Sequence, residues 1–222
     1  MIVTLTANPG LDRTETLEEP LTRGAVHRVT GVTVEPGGKG VNVARAIHYA
    51  GVPVRALLPA GLGDPMLTAL DEIGLAYRAV TVEGRVRTNI TLTEPDGTTT
   101  KLNEPGPRFT PANLDELAAL VLSEAAGASW AVLSGSLPPG VPTGWYADLV
   151  RQIRPLGCLV AVDTSDAPLL ALAEQFPGAA PDLLKPNSEE LAQLTGAEAH
   201  ELEAAAKAGD PSAALTAARS LV

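Results

Sequence analysis

The sequence predicts an α/β protein: a three-layer αβα sandwich built on a mostly parallel central sheet, with a small β-sheet lid beside it. Three observations predict this. Short strand-like runs (IVTLT at 2–6, WAVLS at 130–134, CLVAVD at 158–163) alternate with stretches of helical period, as in sheets buried under crossover helices. One segment, 86–94, instead alternates apolar and polar residues and runs into Asp96-Gly97, which marks a half-buried hairpin. The 21 glycines and 19 prolines among 222 residues imply many short connections, with no Gly-X-Y period that would signal collagen.

Taken in chain order, the first strand is expected at 2–6 and closes at Asn8-Pro9-Gly10. A second extended segment, VHRVTGVTV, spans 26–34. A helix opens at the glycine-rich stretch EPGGKG (35–40), carries Val43, Ile47 and Ala50 on its inner face, and stops at Gly51. A strand follows at 52–59. In the hairpin, Val86, Ile90 and Leu92 share one face, with Thr88 between them, and Arg87, Asn89, Thr91 and Thr93 share the other. TTTKLN at 98–103 is the return strand, and 23–35 is expected to pair with the hairpin. Thr110 caps a helix with Pro111 in its first turn. Its stripe is Leu114, Leu117, Ala118, Val121 and Leu122. Helices starting at Thr143 and spanning 166–176 separate the later strands, and a short strand, Leu183-Leu184-Lys185, precedes helices starting near 188 and 211. The Ala- and Glu-rich stretch 196–212 reads as a mobile helix or loop.

Composition narrows the function. A formal net charge of -10, from 16 basic and 26 acidic residues, argues against a general nucleic-acid binder. The one cysteine, Cys158, excludes an internal disulfide framework and a thiolate zinc cluster. No apolar run approaches 18 residues and no basic leader opens the chain, so no membrane contact and a cytoplasmic location are expected.

Ligands of parallel α/β sheets collect at the carboxyl ends of the strands. The loops expected there are 8–12, 134–140, 163–166 and 185–190. Gly37-Gly38-Lys39-Gly40 at a helix start offers free amides, close backbone approach and one positive charge, which suits an anion; a tight turn with a solvated lysine is the alternative. Asn42 can orient a hydroxyl. Arg87 can grip phosphate oxygens bidentately and Asn89 can serve a polyol, or the two can sit on an exposed strand face. Asp12 can accept two sugar hydroxyls, while Asn8 can simply start a turn. Ser136 follows a strand, but SGSLP is not a nucleophile elbow and none of His27, His48 and His200 stands near it in sequence as a base. Asn187 and Glu190 form a capping box by spacing, and Glu190 can also face a hydrated Mg²⁺ with Lys185 nearby. Asp163, at a strand end, reads as support for the loops.

Together these stretches resemble the PfkB branch of the ribokinase-like sugar kinases. The resemblance rests on TLTANPGLD (4–12), PGGKGVNVARA (36–46), GRVRTNITLTE (84–94), LSGSLPPG (133–140), VDTS (162–165) and LLKPNSEEL (183–191), in that order. It implies a ribokinase-like kinase domain over 1–222, with a lid formed by about 10–35 and 85–104 that also makes a homodimer contact. It implies ATP and Mg²⁺ as cofactors and a phosphorylated ketose as substrate, D-fructose 1-phosphate first, with tagatose 6-phosphate and fructose 6-phosphate as alternatives. Asp12, Gly38, Lys39, Asn42, Arg87, Asn89 and Ser136 would bind the substrate, Lys39 would offset transition-state charge, and Lys185, Asn187 and Glu190 would serve the nucleotide, with Glu190 reaching Mg²⁺ through water. One departure stands out. The family's late GAGD motif, which carries the general base, is absent; Gly61-Leu62-Gly63-Asp64 comes too early. The chain is therefore expected to be the front part of a longer kinase, with its base beyond Val222 and negligible turnover of its own. A non-catalytic sugar-phosphate-binding module is the reading from another class.

Overall fold

The computed structural model describes residues 1–221; Val222, expected within a helix, lies outside them. Ten strands form two sheets. The central sheet is wholly parallel and joins β1 (Ile2–Thr6), β4 (Val54–Ala60), β5 (Tyr77–Thr81), β8 (Trp130–Ser134), β9 (Leu159–Asp163) and β10 (Leu183–Leu184) in the order β10-β9-β8-β1-β4-β5. The chain first builds from β1 toward β4 and β5, then returns to lay β8 on the other side of β1. The topological switch point thus lies between β1 and β8. The register sets Thr6 beside Ser134 and Ser134 beside Asp163 along the carboxyl edge.

Alternation along the buried strands feeds two cores. Leu57 on β4 points to one face with Val3, Leu5 and Leu133, where it meets helices α3 (Pro111–Ala125) and α4 (Trp145–Ile153) through Leu117, Val121, Tyr146 and Leu149. Ala56 and Leu58 point to the other face, against α1 (Lys39–Tyr49) and α2 (Pro65–Glu72) through Val41, Ala44, Met66 and Leu70. Each fully buried leucine or isoleucine contributes about 1.5–3 kcal/mol relative to exposure. Helices α5 (Asp166–Ala173), α6 (Ser188–Thr195), α7 (Ala199–Lys207) and α8 (Ser212–Arg219) complete the chain; Leu191, Leu202 and Ala217 tie the last three together.

The small sheet holds β2 (Gly10–Leu17), β3 (Val29–Gly37), β6 (Arg87–Thr93) and β7 (Thr99–Asn103) in the order β3-β2-β6-β7. Its pairings put Asp12, Glu35, Asn89 and Asn103 on one polar face and Val34, Ile90 and Leu102 on the other.

Several expectations are corrected. Residues 10–12 are the start of a strand rather than part of a loop, because β2 finds partners on both sides. For the same reason 23–35 does not pair with the hairpin directly: β2 lies between them, antiparallel to β3 and parallel to β6. The extended segment begins at Val29 and runs to Gly37, so Pro36 and Gly37 end a strand. Helix α1 buries Gly40, Val41 and Ala44, while Ala50 is an exposed C-cap; the helix start is pressed onto the end of β1, which rotates the stripe. In α3 the inward row includes Glu124, held by Arg55 at 2.5 Å and Arg78 at 3.1 Å. The stretch 196–212 holds the regular helix α7. Strand β5 and helix α2 were not expected at all.

Candidate active site

The site builds outward from the end of β1. Asn8 is buried, and its amide donates to the Pro105 carbonyl at 3.1 Å and to Ser136 Oγ at 3.4 Å. Those two bonds tie together the strap leaving β7, the loop after β8 and the turn into β2. Across the base of the small sheet, Gly10 of β2 pairs with Gly37 of β3 on one side and with Arg87 of β6 on the other. One pleat further on, Asp12 pairs with Asn89, and the Asn89 amide donates to Asp12 Oδ1 at 2.9 Å. The other side of the Asp12 carboxylate lies against Gly37, where a Cβ would collide with both its oxygens.

Arg87 leans along Gly10, with its Nη1 donating to the Glu104 carbonyl at 3.3 Å. Burial pulls its guanidinium below the ordinary arginine range, and the Asp12 carboxylate acts in the opposite sense. A guanidinium titrates so high that it keeps its charge at neutral pH all the same. Its Nε and the Asn89 Oδ1 are buried without a hydrogen-bond partner among the described residues. Buried polar atoms are rarely left so.

The second half of the site begins one residue past Gly37. Gly38 caps α1 at a φ of 100°, a left-handed conformation, and a Cβ there would lie 2.7 Å from Thr6 Cγ2. No side chain caps this helix start, so its amide dipoles are available to an anion. Lys39 then extends over Gly135 and pairs with Asp163 Oδ1 at 2.9 Å and Glu190 Oε1 at 3.7 Å. Lys185 reaches Asp163 Oδ2 at 3.5 Å. Two ammonium groups and two carboxylates therefore line the carboxyl ends of β8, β9 and β10.

Glu190 makes the capping box expected of it. Its Oε2 accepts from the Asn187 amide at 2.8 Å while Asn187 Oδ1 accepts from the Glu190 amide at 2.8 Å, completing the capping box, and its Oε1 faces Lys39. Asn42 is exposed one turn beyond Lys39 on the same helix. The structure brings the predicted site residues into two groups: Asp12 with Asn89, and Arg87 beside them in the sheet, and Lys39 with Glu190 and, through Asp163, Lys185; residues 37–39 join the two.

Sequence reasoning gave Asp163 a loop-supporting part, and its carboxylate does hold Lys185 of the 185–190 loop along with Lys39. It missed the anchor beneath it. Gly135 donates its amide to the Asp163 carbonyl at 2.8 Å, and its own carbonyl accepts from Tyr146 at 3.0 Å and Thr164 at 2.9 Å. Tyr146 is not among the residues singled out from the sequence in the helix starting at Thr143. Only its hydroxyl, which must find a partner when buried, hinted at this.

A six-stranded parallel sheet between helices, with an uncapped helix start at its carboxyl edge and a small mixed sheet beside it, is the ribokinase-like carbohydrate kinase fold. Residues 9–218 match the pfkB family of carbohydrate kinases, and the chain belongs to that family. It is 38% identical over 223 residues to the 1-phosphofructokinase of Xanthomonas campestris, covering 99% of this chain and 67% of that protein. It is 39% identical over 201 residues to the 1-phosphofructokinase of Rhodobacter capsulatus, covering 88% and 61%. Escherichia coli phosphofructokinase-2 in complex with fructose-6-phosphate matches with a TM-score of 0.85 at 29% identity, over 100% of this chain and 69% of that one. The chain thus spans about two thirds or less of these curated relatives' length, 67% and 61%.

Proposed function

We propose that this chain is the substrate-binding, amino-terminal part of a kinase that transfers the γ-phosphoryl group of ATP to a phosphorylated ketose, D-fructose 1-phosphate giving fructose 1,6-bisphosphate. The observation that carries this is the Asp12–Asn89 pair with Arg87 on the polar face of the small sheet, beside the uncapped start of α1. The carboxylate accepts sugar hydroxyls, the guanidinium takes the phosphate the sugar already bears, and the helix start with Lys39 receives the group in transfer. Gly38, Asn42 and Ser136 flank the sugar, and Lys185, Asn187 and Glu190 flank the nucleotide.

In the reaction a sugar hydroxyl oxygen bonds to the γ-phosphorus as the bond to the bridging oxygen of ADP breaks. Charge accumulates on the equatorial phosphoryl oxygens, where Lys39 and the α1 amides oppose it. The hydroxyl's proton goes to a carboxylate base, which the family resemblance puts in a segment outside these 222 residues. The donor set suits Mg²⁺ held through water: among the described residues no three carboxylate or imidazole groups converge on one point, and Glu190 has one oxygen free of its cap. When bound, Mg²⁺ would neutralise phosphate charge beside Glu190.

The other face of the small sheet supports a homodimer formed through this lid. Val29, Val32 and Val34 on β3 and Leu102 on β7 are each 42–54% exposed there, with the Arg13–Glu15 ion pair of β2 between the two edges. No helix among the described residues is long and apolar enough to cross a membrane, and Cys158 is free and buried; both are compatible with a cytoplasmic protein.

Calorimetric titration of the chain with fructose 1-phosphate, fructose 6-phosphate, tagatose 6-phosphate and unphosphorylated fructose tests the proposal. Fructose 1-phosphate binding tightest is the expected result, and no preference for any phosphoketose over fructose would overturn it. Fructose 6-phosphate is the second reading, favoured by its presence in the phosphofructokinase-2 complex. A coupled ADP-release assay on the same chain is expected to show no turnover; normal turnover would refute the placement of the base outside it.

A further inference from the structure

Two buried hydroxyls from different elements converge on one carbonyl at the end of β8. Tyr146 of α4 donates its phenol to the Gly135 oxygen at 3.0 Å, and Thr164, just past β9, donates to the same oxygen at 2.9 Å. A carbonyl oxygen has two lone pairs, so this acceptor is full. Saturation is not general among the buried groups here, since the Thr6 and Ser134 hydroxyls find no partner among the described residues. Gly135 also donates its amide to the Asp163 carbonyl at 2.8 Å. Both polar groups of this glycine are therefore fixed, at a φ of 96° that suits glycine.

Fixing that carbonyl fixes the amide that follows it. The 135–136 peptide is trans, so the Ser136 N–H points away from the Gly135 oxygen, and hence away from Tyr146 and Thr164. None of the described residues accepts a hydrogen bond from it. The Ser136 hydroxyl takes the Asn8 amide at 3.4 Å, and Gly135 lies under Lys39, where a Cβ would come 3.8 Å from the Lys39 Cβ. The free amide thus follows β8 at the switch point, in the loop that touches both Asn8 and Lys39.

We propose that Tyr146 and Thr164 are positioning residues for the ligand: by pinning the Gly135 carbonyl from beneath, they aim the Ser136 N–H at an oxygen of the bound sugar. The proposal rests on the phosphoketose reading above and deepens it. Neither residue touches the sugar, because both are buried. A backbone donor held in place before the ligand arrives costs no ordering when it binds. Two pins are needed because a carbonyl held by a single hydroxyl can still swing about that bond. If the hydroxyls served only their own need for a partner, their loss would lower stability and leave ligand affinity alone.

Tyr146→Phe, Thr164→Val and the double variant test this in the 222-residue chain, by calorimetric titration with fructose 1-phosphate and with a non-hydrolysable ATP analogue. The Ser136 amide is followed in parallel by nitrogen–proton NMR. Each single variant is expected to weaken fructose 1-phosphate about fivefold, and the double variant more than tenfold, with the ATP analogue unaffected. Thr164→Ser, which keeps the hydroxyl, should bind as wild type does. Glu124→Ala, destabilised far from the loop, is the control for stability and should also keep its affinity. The wild-type Ser136 signal should move on addition of fructose 1-phosphate and stay in place with the ATP analogue.

Wild-type affinity in the double variant overturns the proposal and leaves the phosphoketose reading standing. An equal loss in Glu124→Ala or in Thr164→Ser does the same, as does a Ser136 signal that answers the ATP analogue alone. If the double variant does not fold, the single variants and the wild-type Ser136 signal decide by the same criteria. A wild-type chain that does not distinguish fructose 1-phosphate from fructose fells the phosphoketose reading and this proposal with it.

Discussion

Asn89 donates its amide to Oδ1 of Asp12 at 2.9 Å, across the β2–β6 pairing that sets the two residues side by side. That bond leaves Oδ2 over Gly37, where any Cβ would strike it. Gly37→Ala should therefore turn the carboxylate away from the sugar without unfolding the domain. Affinity for fructose 1-phosphate is expected to drop at least tenfold, with the thermal midpoint within a few degrees of wild type. Titration and melting on one preparation check it.

Lys39 behaves differently. Its side chain is 42% exposed, so its pairs with Asp163 and Glu190 are worth at most about 1 kcal/mol to the fold. Lys39→Met should melt almost as wild type does yet lose most affinity for a non-hydrolysable ATP analogue. A large stability loss with unchanged nucleotide binding would assign the lysine to the scaffold.

Glu124 belongs to the scaffold. It is 8% exposed and bridges Arg55 on β4 and Arg78 on β5. Removing one partner of a buried pair costs about 3–5 kcal/mol, but here both arginines can rehydrate. Glu124→Ala is expected to cost about 2 kcal/mol in urea unfolding and to leave sugar binding unaltered.

Tyr146 sets a pH limit. Burial first, and the Asp163 carboxylate second, push its phenol above the ordinary tyrosine range. A raised acid binds its proton more tightly in the folded state. Its contribution is thus complete below the unfolded value of about 10 and is lost as pH climbs from there toward the folded value. Melting temperature should fall above about pH 10, and Tyr146→Phe should blunt that fall while costing about 1 kcal/mol at neutral pH, from the lost bond to Gly135.

The apolar face of the small sheet offers the test of assembly. Val32→Lys or Val34→Lys places a charge among the exposed valines of β3. Light scattering after size exclusion should report a dimer for wild type and a monomer for either variant.

Much of this was readable from residues alone, and the failures have a common cause. The parallel strands other than β5 were visible because burial on both faces writes an apolar run, as in WAVLS; β5, at the sheet edge and largely exposed, writes none. The hairpin was visible because burial on one face writes an alternation. Strand β2 escaped because GLDRTETL has little apolar content; its place comes from partners at 29–37 and 87–93, which no local pattern encodes. The stripe of α1 was shifted because glycines, which carry no hydrophobic signal, let the helix start settle on β1. Tyr146 was missed for a related reason: it acts through a loop that only the fold brings within reach.

Strand β3 ends at Gly37 and α1 begins at Lys39, with Gly38 alone between them. On the proposed function, a roof over the sugar and the ammonium group that meets the incoming phosphoryl hang from opposite ends of a one-residue lever. Any tilt of that roof would then exert a torque on the first turn of the helix, so that admitting a sugar and aiming the charge would share one backbone torsion pair as their pivot.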